Sequence, residues 1–227
     1  MLLLDTTRDF SGDVFRNIVS LRESVDLFDD LSGGTARSSA YAVNAEARVK
    51  SDASPDFIRR GFHYTTAIAY PFETEPYLST RFGDGSFGVW YGSLKMETTI
   101  RETAFHMVRE ELRNETPRAV YRERAVYRTG CLALLIDLTG KVEEFPGLVA
   151  EDHDFTQSVA RRLQREGHPG LLAPSTRHRG GINLAAFSPG ILSNPRLSCY
   201  LGYRFDPASR SVEVERTPGK LYLRVRF

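Results

Sequence analysis

One apolar run restricts what this 227-residue chain can fold into: residues 131–138 read CLALLIDL, with a single charged side chain at Asp137. The run has the length of a β-strand, and it lacks the alternation of apolar and polar residues expected of a strand with one solvated face. We therefore expect a strand in the middle of a sheet, covered on both faces.

Two amphipathic helices and several further strands accompany this run. From Glu97 towards Leu112, and again between Phe155 and Glu166, apolar residues recur at helical spacing. The charged tract Arg109–Arg128 contains alternating signs and a proline, which predicts an exposed helix end and loop. The other strand-like segments are residues 87–91, 171–173, 183–187, 198–205, 211–216 and 221–227.

The pattern of apolar residues in the first fifty positions predicts an accessory helical unit. Between Phe10 and Leu31 apolar residues step by three and four, as in an amphipathic helix, and two glycines follow. A weaker helical tract occupies residues 40–50, before a polar, proline-containing linker at 51–56. We therefore expect a helical N-terminal extension over residues 1–55 and a main domain over 56–227, with its first strand near Phe62–Thr66.

Composition argues against several classes of function. The formal net charge is only +1, so the chain as a whole has little attraction for nucleic acid or membrane. No signal peptide is evident, and no apolar run approaches the length of a membrane helix, so we expect a cytoplasmic protein. Cys131 and Cys199 lack the C-x-x-C spacing of zinc or redox sites, which predicts buried thiols.

The stretch from Tyr77 to His106 carries the strongest candidates for chemistry. It reads as strand, turn, strand and helix, an order that brings Arg81, Tyr91 and Glu102 close together. Glu102 lies off the apolar stripe of its helix and on the same face as His106. Each residue also has an ordinary structural interpretation. Glu102 could be a solvated helix carboxylate, Arg81 a surface cation beside a turn, and Tyr91 a half-buried packing residue.

A second block, residues 168–190, supplies a short strand, Pro174-Ser175, a basic glycine loop and a strand that begins at Asn183. The glycines permit close backbone approach, and Arg177, His178 and Arg179 supply charge, so a pyrophosphate suits this loop. Basic glycine loops are also commonly just solvated.

The two blocks together resemble the RES domain, over roughly residues 61–189. The shared pattern is Arg81-Phe-Gly, an aromatic residue followed by Tyr91 and a strand-ending Ser93, Thr-x-x-Glu102-x-x-x-His, then Pro-Ser175. The family supplies toxins of a bacterial toxin–antitoxin class. The resemblance implies an α+β fold with an ADP-ribosyltransferase-like split β-sheet core flanked by helices. It also implies activity on NAD, without a metal.

The resemblance assigns catalytic roles to Arg81, Tyr91, Glu102 and Ser175. A carboxylate at Glu102 suits an oxocarbenium-like ribose, an aromatic face at Tyr91 suits the leaving nicotinamide, and a guanidinium at Arg81 suits the phosphates. Contacts to NAD are expected from Arg81, Tyr91, His63, Tyr64, Arg177 and Asn183, of which His63 departs from the arginine common at that place in the family.

Two other functions stay open: a ribonuclease using His106 and His178 as acid and base, and a non-catalytic nucleotide-binding module. Under the NAD hypothesis the acceptor is water, phosphate or a protein side chain. The implied partner is a cognate antitoxin of the Xre type, with nucleic acid reached only through it. Residues 1–50 are available for antitoxin docking or for a homodimer.

Overall fold

The computed structural model describes residues 2–20, 65–73, 75–114 and 116–227, and it has a mixed α+β fold with one large sheet and few helices. The strands are β1 (Thr7–Val19), β2 (Ser79–Thr80), β3 (Gly83–Asp84), β4 (Trp90–Ser93), β5 (Val120–Asp137), β6 (Gly170–Pro174), β7 (Ile182–Ala186), β8 (Leu192–Asp206), β9 (Ser211–Thr217) and β10 (Lys220–Arg226). The α-helices are α1 (Tyr70–Glu73), α2 (Met96–Glu111) and α3 (Asp154–Arg165), with a π-helical turn at Thr65–Ala69 and 3-10 turns at Pro146–Leu148 and Pro189–Ile191.

The eight-stranded sheet has the order β1-β4-β7-β6-β5-β8-β9-β10, and β1 also pairs with β5. The pairings β1–β4–β7–β6–β5–β1 therefore form a closed cycle, from which β8, β9 and β10 extend as an antiparallel wing. Strands β5 and β6 are the parallel pair, and β2 with β3 forms a separate hairpin. The predicted α+β class is confirmed.

The apolar run, except for its last residue, lies inside β5, which pairs with β1, β6 and β8, so its central place in the sheet is confirmed. The prediction that both its faces are covered is wrong for Leu132 and Leu134 but correct for the end of the run, where neighbouring residues on opposite faces are both buried. Leu135 and Ile136 are buried, whereas Leu132 and Leu134 are 68% and 59% exposed. Because successive strand side chains point to opposite faces, Leu132 and Leu134 stay on the outer face while Cys131 and Leu135 enter the core.

The predicted helix at Phe10–Leu31 is wrong over its first part, because residues 7–19 form β1. Phe10, Val14 and Ile18 all pack in one core cluster. Their spacing of four fits one face of a helix and one face of a strand equally, and pairing with β5 along the whole of β1 decides for the strand. Residues 21–55 and the proposed boundary at 55 lie outside the described part of the chain, and the two-part division stays a prediction.

The charged tract was also misassigned beyond residue 119, where β5 begins in place of a loop. Ala125, Val126 and Tyr127 are buried in this strand. Arg122 of the same strand donates to the carboxylates of Glu110 and Glu111 at the end of α2, at 2.8 and 2.7 Å. The alternating charges therefore bind the strand to the helix.

Helix α2 confirms the prediction from residue spacing. Ile100, Ala104, Met107 and Val108 are buried against β8, β9 and β10, and this contact fixes the rotation of the helix about its axis. Glu102 lies off the buried stripe and is half-buried. Helix α3 is confirmed in the same way, since Val159, Ala160 and Leu163 pack in a cluster with β6.

The approach to the site differs in detail from the expectation. The strand predicted at 87–91 begins only at Trp90, and Thr65 and Thr66 lie in the π-helical turn instead of a first strand. Gly88 explains the close packing here: a Cβ at this position would lie 2.2 Å from the carbonyl oxygen of Pro71. Glycine therefore lets α1 press against the chain that leads into β4.

Neither cysteine pairs with another: Cys131 is buried and Cys199 is half-buried. Burial raises the pKa of the Cys131 thiol to about 11. In the described ranges, no cluster of three histidine, cysteine or acidic side chains has the arrangement of a metal site. None of the helices described there is long and apolar enough to cross a bilayer.

Candidate active site

A cleft of about 830 Å³ lies along one face of α2, between that helix, β4, the β2–β3 hairpin and the start of the 176–181 loop. Its volume is within the range of small-molecule sites. Six of the predicted site residues lie in the described part of the chain. Five of them line this cleft: Arg81, Tyr91, Glu102, Arg177 and Asn183. The sixth, Ser175, is buried behind Glu102.

The Glu102 carboxylate is held by two side-chain hydrogen bonds. The hydroxyl of Ser175 donates to Oε1 at 2.6 Å, and the amide of Asn183 donates to the same oxygen at 2.8 Å. Oε2 accepts no hydrogen bond from the described residues. The carboxylate is therefore fixed in direction through one oxygen, and the other oxygen is available to a ligand.

Ser175 directly follows β6 and organises the loop that begins there. Its hydroxyl oxygen accepts hydrogen bonds from the backbone N–H groups of Arg177 and His178, at 3.2 and 3.0 Å. The hydroxyl proton is given to Glu102. Ser175 thus acts as an orienting residue, and among the described residues its hydroxyl forms no hydrogen bond with a histidine side chain that could activate it as a nucleophile.

Asn183 is itself positioned by Ser93, whose hydroxyl donates to Oδ1 of Asn183 at 2.7 Å. The two residues are register partners on β7 and β4. Because Oδ1 is an acceptor here, the amide nitrogen is turned towards Glu102. Asn183 connects Ser93 to the carboxylate and also lines the cleft, and its expected contact with a nucleotide stays a prediction.

Tyr91 presents its ring to the cleft with its hydroxyl immobilised. The hydroxyl accepts a hydrogen bond from the backbone N–H of Phe82 at 2.8 Å and shares another with the Thr80 hydroxyl at 2.8 Å. Burial raises the pKa of Tyr91 to about 12, so the phenol is neutral at physiological pH. These bonds hold the ring against the β2–β3 hairpin, where its face is suited to stacking.

Arg81 is anchored through one nitrogen. Nη1 donates to the carbonyl oxygen of Ala150 at 2.8 Å, with Leu148 at 3.4 Å. In the described ranges Nε and Nη2 donate to no other residue, and these two nitrogens form the side of the guanidinium that binds an anion in a bidentate manner. Burial, and next the charge of Arg177, lowers the pKa of Arg81, which remains a cation.

The basic loop contributes one of its three basic side chains to the cleft. The guanidinium carbon of Arg177 lies 3.4 Å from the centre of the Phe105 ring and lines the cleft. His178 turns away to α2, where Nδ1 is 2.8 Å from the hydroxyl of Thr98, and Arg179 is exposed. A Cβ at Gly181 would lie 2.8 Å from the Thr98 side chain, so glycine permits this contact.

The cleft is strongly cationic in a chain whose net charge is +1. Five arginines and two glutamates line its described part: Arg16, Arg81, Arg109, Arg113 and Arg177 against Glu102 and Glu110. An anionic ligand suits this arrangement. His63 and Tyr64, expected at the adenosine side, lie outside the described residues.

Sequence reasoning missed three contributors. Arg16 was assigned to a helix away from the site, Arg109 to an exposed helix end, and Ser93 was part of the motif without a role. Arg109 had a detectable signal, because its spacing of seven from Glu102 places both on one face of α2. The roles of Arg16 and Ser93 depend on strand pairing and had no signal in local spacing.

Comparison with known proteins identifies the family. Among solved structures, a chain of the M. tuberculosis MbcT–MbcA toxin–antitoxin complex aligns with a TM-score of 0.45 and 12% identity, over 89% of this chain and 88% of that chain. This degree of similarity supports no functional conclusion. No curated protein sequence matches. A family model described as RES domain matches residues 48–206, well over half of the chain, and the chain therefore belongs to the RES domain family.

Proposed function

We propose that this protein is the toxin of a toxin–antitoxin system and that it acts in the cytoplasm by cleaving the nicotinamide–ribose bond of NAD. The observation that carries the proposal is the carboxylate of Glu102, oriented by Ser175 and Asn183 within an arginine-lined cleft. Membership of the RES domain family supports the same activity.

Glu102 has the central role in this mechanism. As the bond to nicotinamide breaks, positive charge develops at the ribose, and a fixed carboxylate stabilises that charge more in the transition state than in the ground state. The two bonds to Oε1 leave Oε2 to face the ribose without reorganisation. Ser175 and Asn183 thus keep the charge of Glu102 in place.

Tyr91 and Arg81 bind the two ends of the reacting half of the substrate. The ring of Tyr91, held through its hydroxyl, stacks on the positively charged nicotinamide until that group leaves. Arg81 uses Nε and Nη2 for a phosphate while Nη1 stays on the Ala150 carbonyl. Arg177, stacked on Phe105, adds a second cation for the pyrophosphate.

The direct test is incubation of the purified protein with NAD and, separately, with RNA, followed by chromatography of the products. We expect nicotinamide from NAD and intact RNA. RNA cleavage without loss of NAD would select the nuclease alternative, although His178, one of its two proposed histidines, is bound to Thr98 and does not line the cleft.

The acceptor of the ADP-ribose group is water, phosphate or a protein side chain, and the masses of the products distinguish them. Reactions with and without phosphate, and with and without cell lysate, yield ADP-ribose, a phosphorylated ADP-ribose or a modified protein. An appearance of the phosphorylated product only when phosphate is present would identify phosphorolysis.

Ser175→Ala is expected to lower the rate of nicotinamide release by about tenfold or more, because a hydrogen bond to a charged group contributes about 1.5–3 kcal/mol. The loss should be partial, since Asn183 still holds Oε1. Steady-state kinetics of Ser93→Ala provide the comparison, because this substitution removes the hydrogen bond that positions Asn183. The two variants together measure separately how much Ser175 and Asn183 contribute to orienting Glu102. Complete loss of turnover in a folded Ser175→Ala protein would favour a nucleophilic serine over an orienting one.

The proposed partner is an Xre-type antitoxin, because an unrestrained NAD-consuming enzyme would deplete its host. A cleft lined by Arg81, Arg109 and Arg177 suits an acidic tail of such a protein. We expect that deleting the tail of the antitoxin, while keeping its main domain, restores NAD loss in a mixture of the two proteins. Inhibition that survives the deletion would mean that covering the cleft is sufficient.

A further inference from the structure

Arg16 is a cation of the cleft wall that comes from β1, a strand that precedes the matched segment 48–206. Its Nη1 donates to the backbone carbonyl of Tyr91 at 3.3 Å, and its guanidinium carbon lies 5.1 Å from the centre of the Trp90 ring. Within the described ranges the Nε atom is buried without a hydrogen-bond partner, and no carboxylate there forms an ion pair with Arg16.

Three other arginines of this part of the sheet have acidic partners. Arg8, on the same strand, pairs with Asp137 at 2.7 Å, and both Arg128 and Arg196 pair with Asp13. Burial lowers the pKa of Arg16 to about 10, so that it is still protonated at neutral pH. A buried cation without a counter-charge is unfavourable for stability, and an anion bound in the cleft would remove that cost.

A second buried polar atom marks the same end of the cleft. The Oδ1 atom of Asn17 also has no hydrogen-bond partner among the residues that the structure describes, while its amide nitrogen donates to the hydroxyl of Tyr203 at 2.6 Å. Three residues of the described ranges have such an atom, and two of them, Arg16 and Asn17, line the cleft. Two unsatisfied polar groups among the residues that line one cleft indicate a site that is completed by a polar ligand.

The position of Arg16 relative to Tyr91 indicates which part of a ligand it contacts. The Tyr91 hydroxyl is bound to the backbone of Phe82, next to Arg81, while the Tyr91 carbonyl is bound to Arg16. Arg16 therefore lies at the backbone end of Tyr91, the Arg81–Phe82 segment lies at its hydroxyl end, and both arginines line the cleft. We propose that Arg16 binds a phosphate of the ADP-ribose part of the ligand, as a second anchor beside Arg81; this inference rests on the proposed function.

The test is calorimetric titration of ADP-ribose into the wild type, Arg16→Met and the control Arg128→Met. Arg128 is the register neighbour of Phe15, does not line the cleft, and leaves Asp13 with Arg196 when it is removed. We expect Arg16→Met to bind about tenfold more weakly or worse, since a charge-assisted hydrogen bond is lost. Arg128→Met should bind like the wild type.

Thermal unfolding without ligand separates a binding role from a structural one. Replacing an unpaired buried charge by methionine should leave the unfolding midpoint unchanged or raise it, whereas a structural arginine would lower it. Wild-type affinity in Arg16→Met overturns the inference. If that variant does not fold, Arg16→Gln, which keeps a donor for the Tyr91 carbonyl, is titrated instead, and failure of both to fold overturns the inference as well.

The same titration distinguishes the two levels of the proposal. A wild-type protein that binds neither ADP-ribose nor NAD would contradict the proposed function, and the role of Arg16 with it. Tight binding by the wild type and by Arg16→Met alike would contradict the role of Arg16 alone.

Discussion

Glu102→Gln is expected to lower the rate of nicotinamide release from NAD by about a hundredfold or more, because it removes the negative charge that stabilises the developing positive charge on the ribose. Glutamine preserves the local geometry. Its carbonyl oxygen accepts from Ser175 and Asn183 as Oε1 does, and its NH₂ group takes the place of Oε2. The substitution therefore tests charge with little change in shape.

The matched control is Glu97→Gln on the same helix. Glu97 pairs with Arg101 one turn away, is 45% exposed and does not line the cleft. Its replacement should leave turnover unchanged. The rate of nicotinamide release is measured for each variant in a stopped or continuous assay. Circular dichroism verifies that each variant is folded. Wild-type turnover in a folded Glu102→Gln protein would remove this carboxylate from the mechanism.

Arg81→Met is expected to raise the KM for NAD by about tenfold to a hundredfold, since a guanidinium–phosphate contact contributes about 1.5–3 kcal/mol. Arg81→Lys should recover only part of this effect. A lysine ammonium supplies charge, but it cannot donate to Ala150 and also bind a phosphate through two parallel N–H groups. Steady-state kinetics over a range of NAD concentrations separate KM from kcat.

Arg161→Met is the control for Arg81, because Arg161 pairs with Asp84 of the neighbouring β3 and does not line the cleft. It should behave as the wild type. Because Arg81 also holds the 148–150 turn, a lowered unfolding midpoint in Arg81→Met is expected as well. Full activity of Arg81→Lys would show that a point charge is sufficient and that the bidentate role is wrong.

The stretch 77–106 contains three of the predicted site residues, but the site is incomplete without residues 168–190, which supply the hydrogen-bond donors to Glu102. Arg81, Tyr91 and Glu102 are neighbours through a hairpin, a strand and a helix that follow directly on one another. Ser175 and Asn183 reach the carboxylate from β6 and β7, which pair with each other and, through β7, with β4. The carboxylate is thus oriented by residues more than seventy positions away along the chain.

Helices α2 and α3 followed from the sequence because their apolar residues recur with the period of the helix itself, a property that needs no partner to recognise. The same periodicity placed Glu102 off the buried face. The second half of β5 was recognisable from its apolar run, but the exposure of its two faces was not, since only the surroundings decide which alternate residues are covered.

Tertiary structure alone decided the elements whose local pattern is ambiguous or whose function depends on pairing. The spacing of four in Phe10, Val14 and Ile18 suits a helix and a strand equally, and thirteen register partners on β5 resolve it. That choice is what brings Arg16 to Tyr91. The direction of Asn183, likewise, depends on Ser93 of a neighbouring strand. Spacing along a chain specifies which face a side chain occupies within its own element, whereas contacts between elements depend on sheet register, which distant segments set jointly.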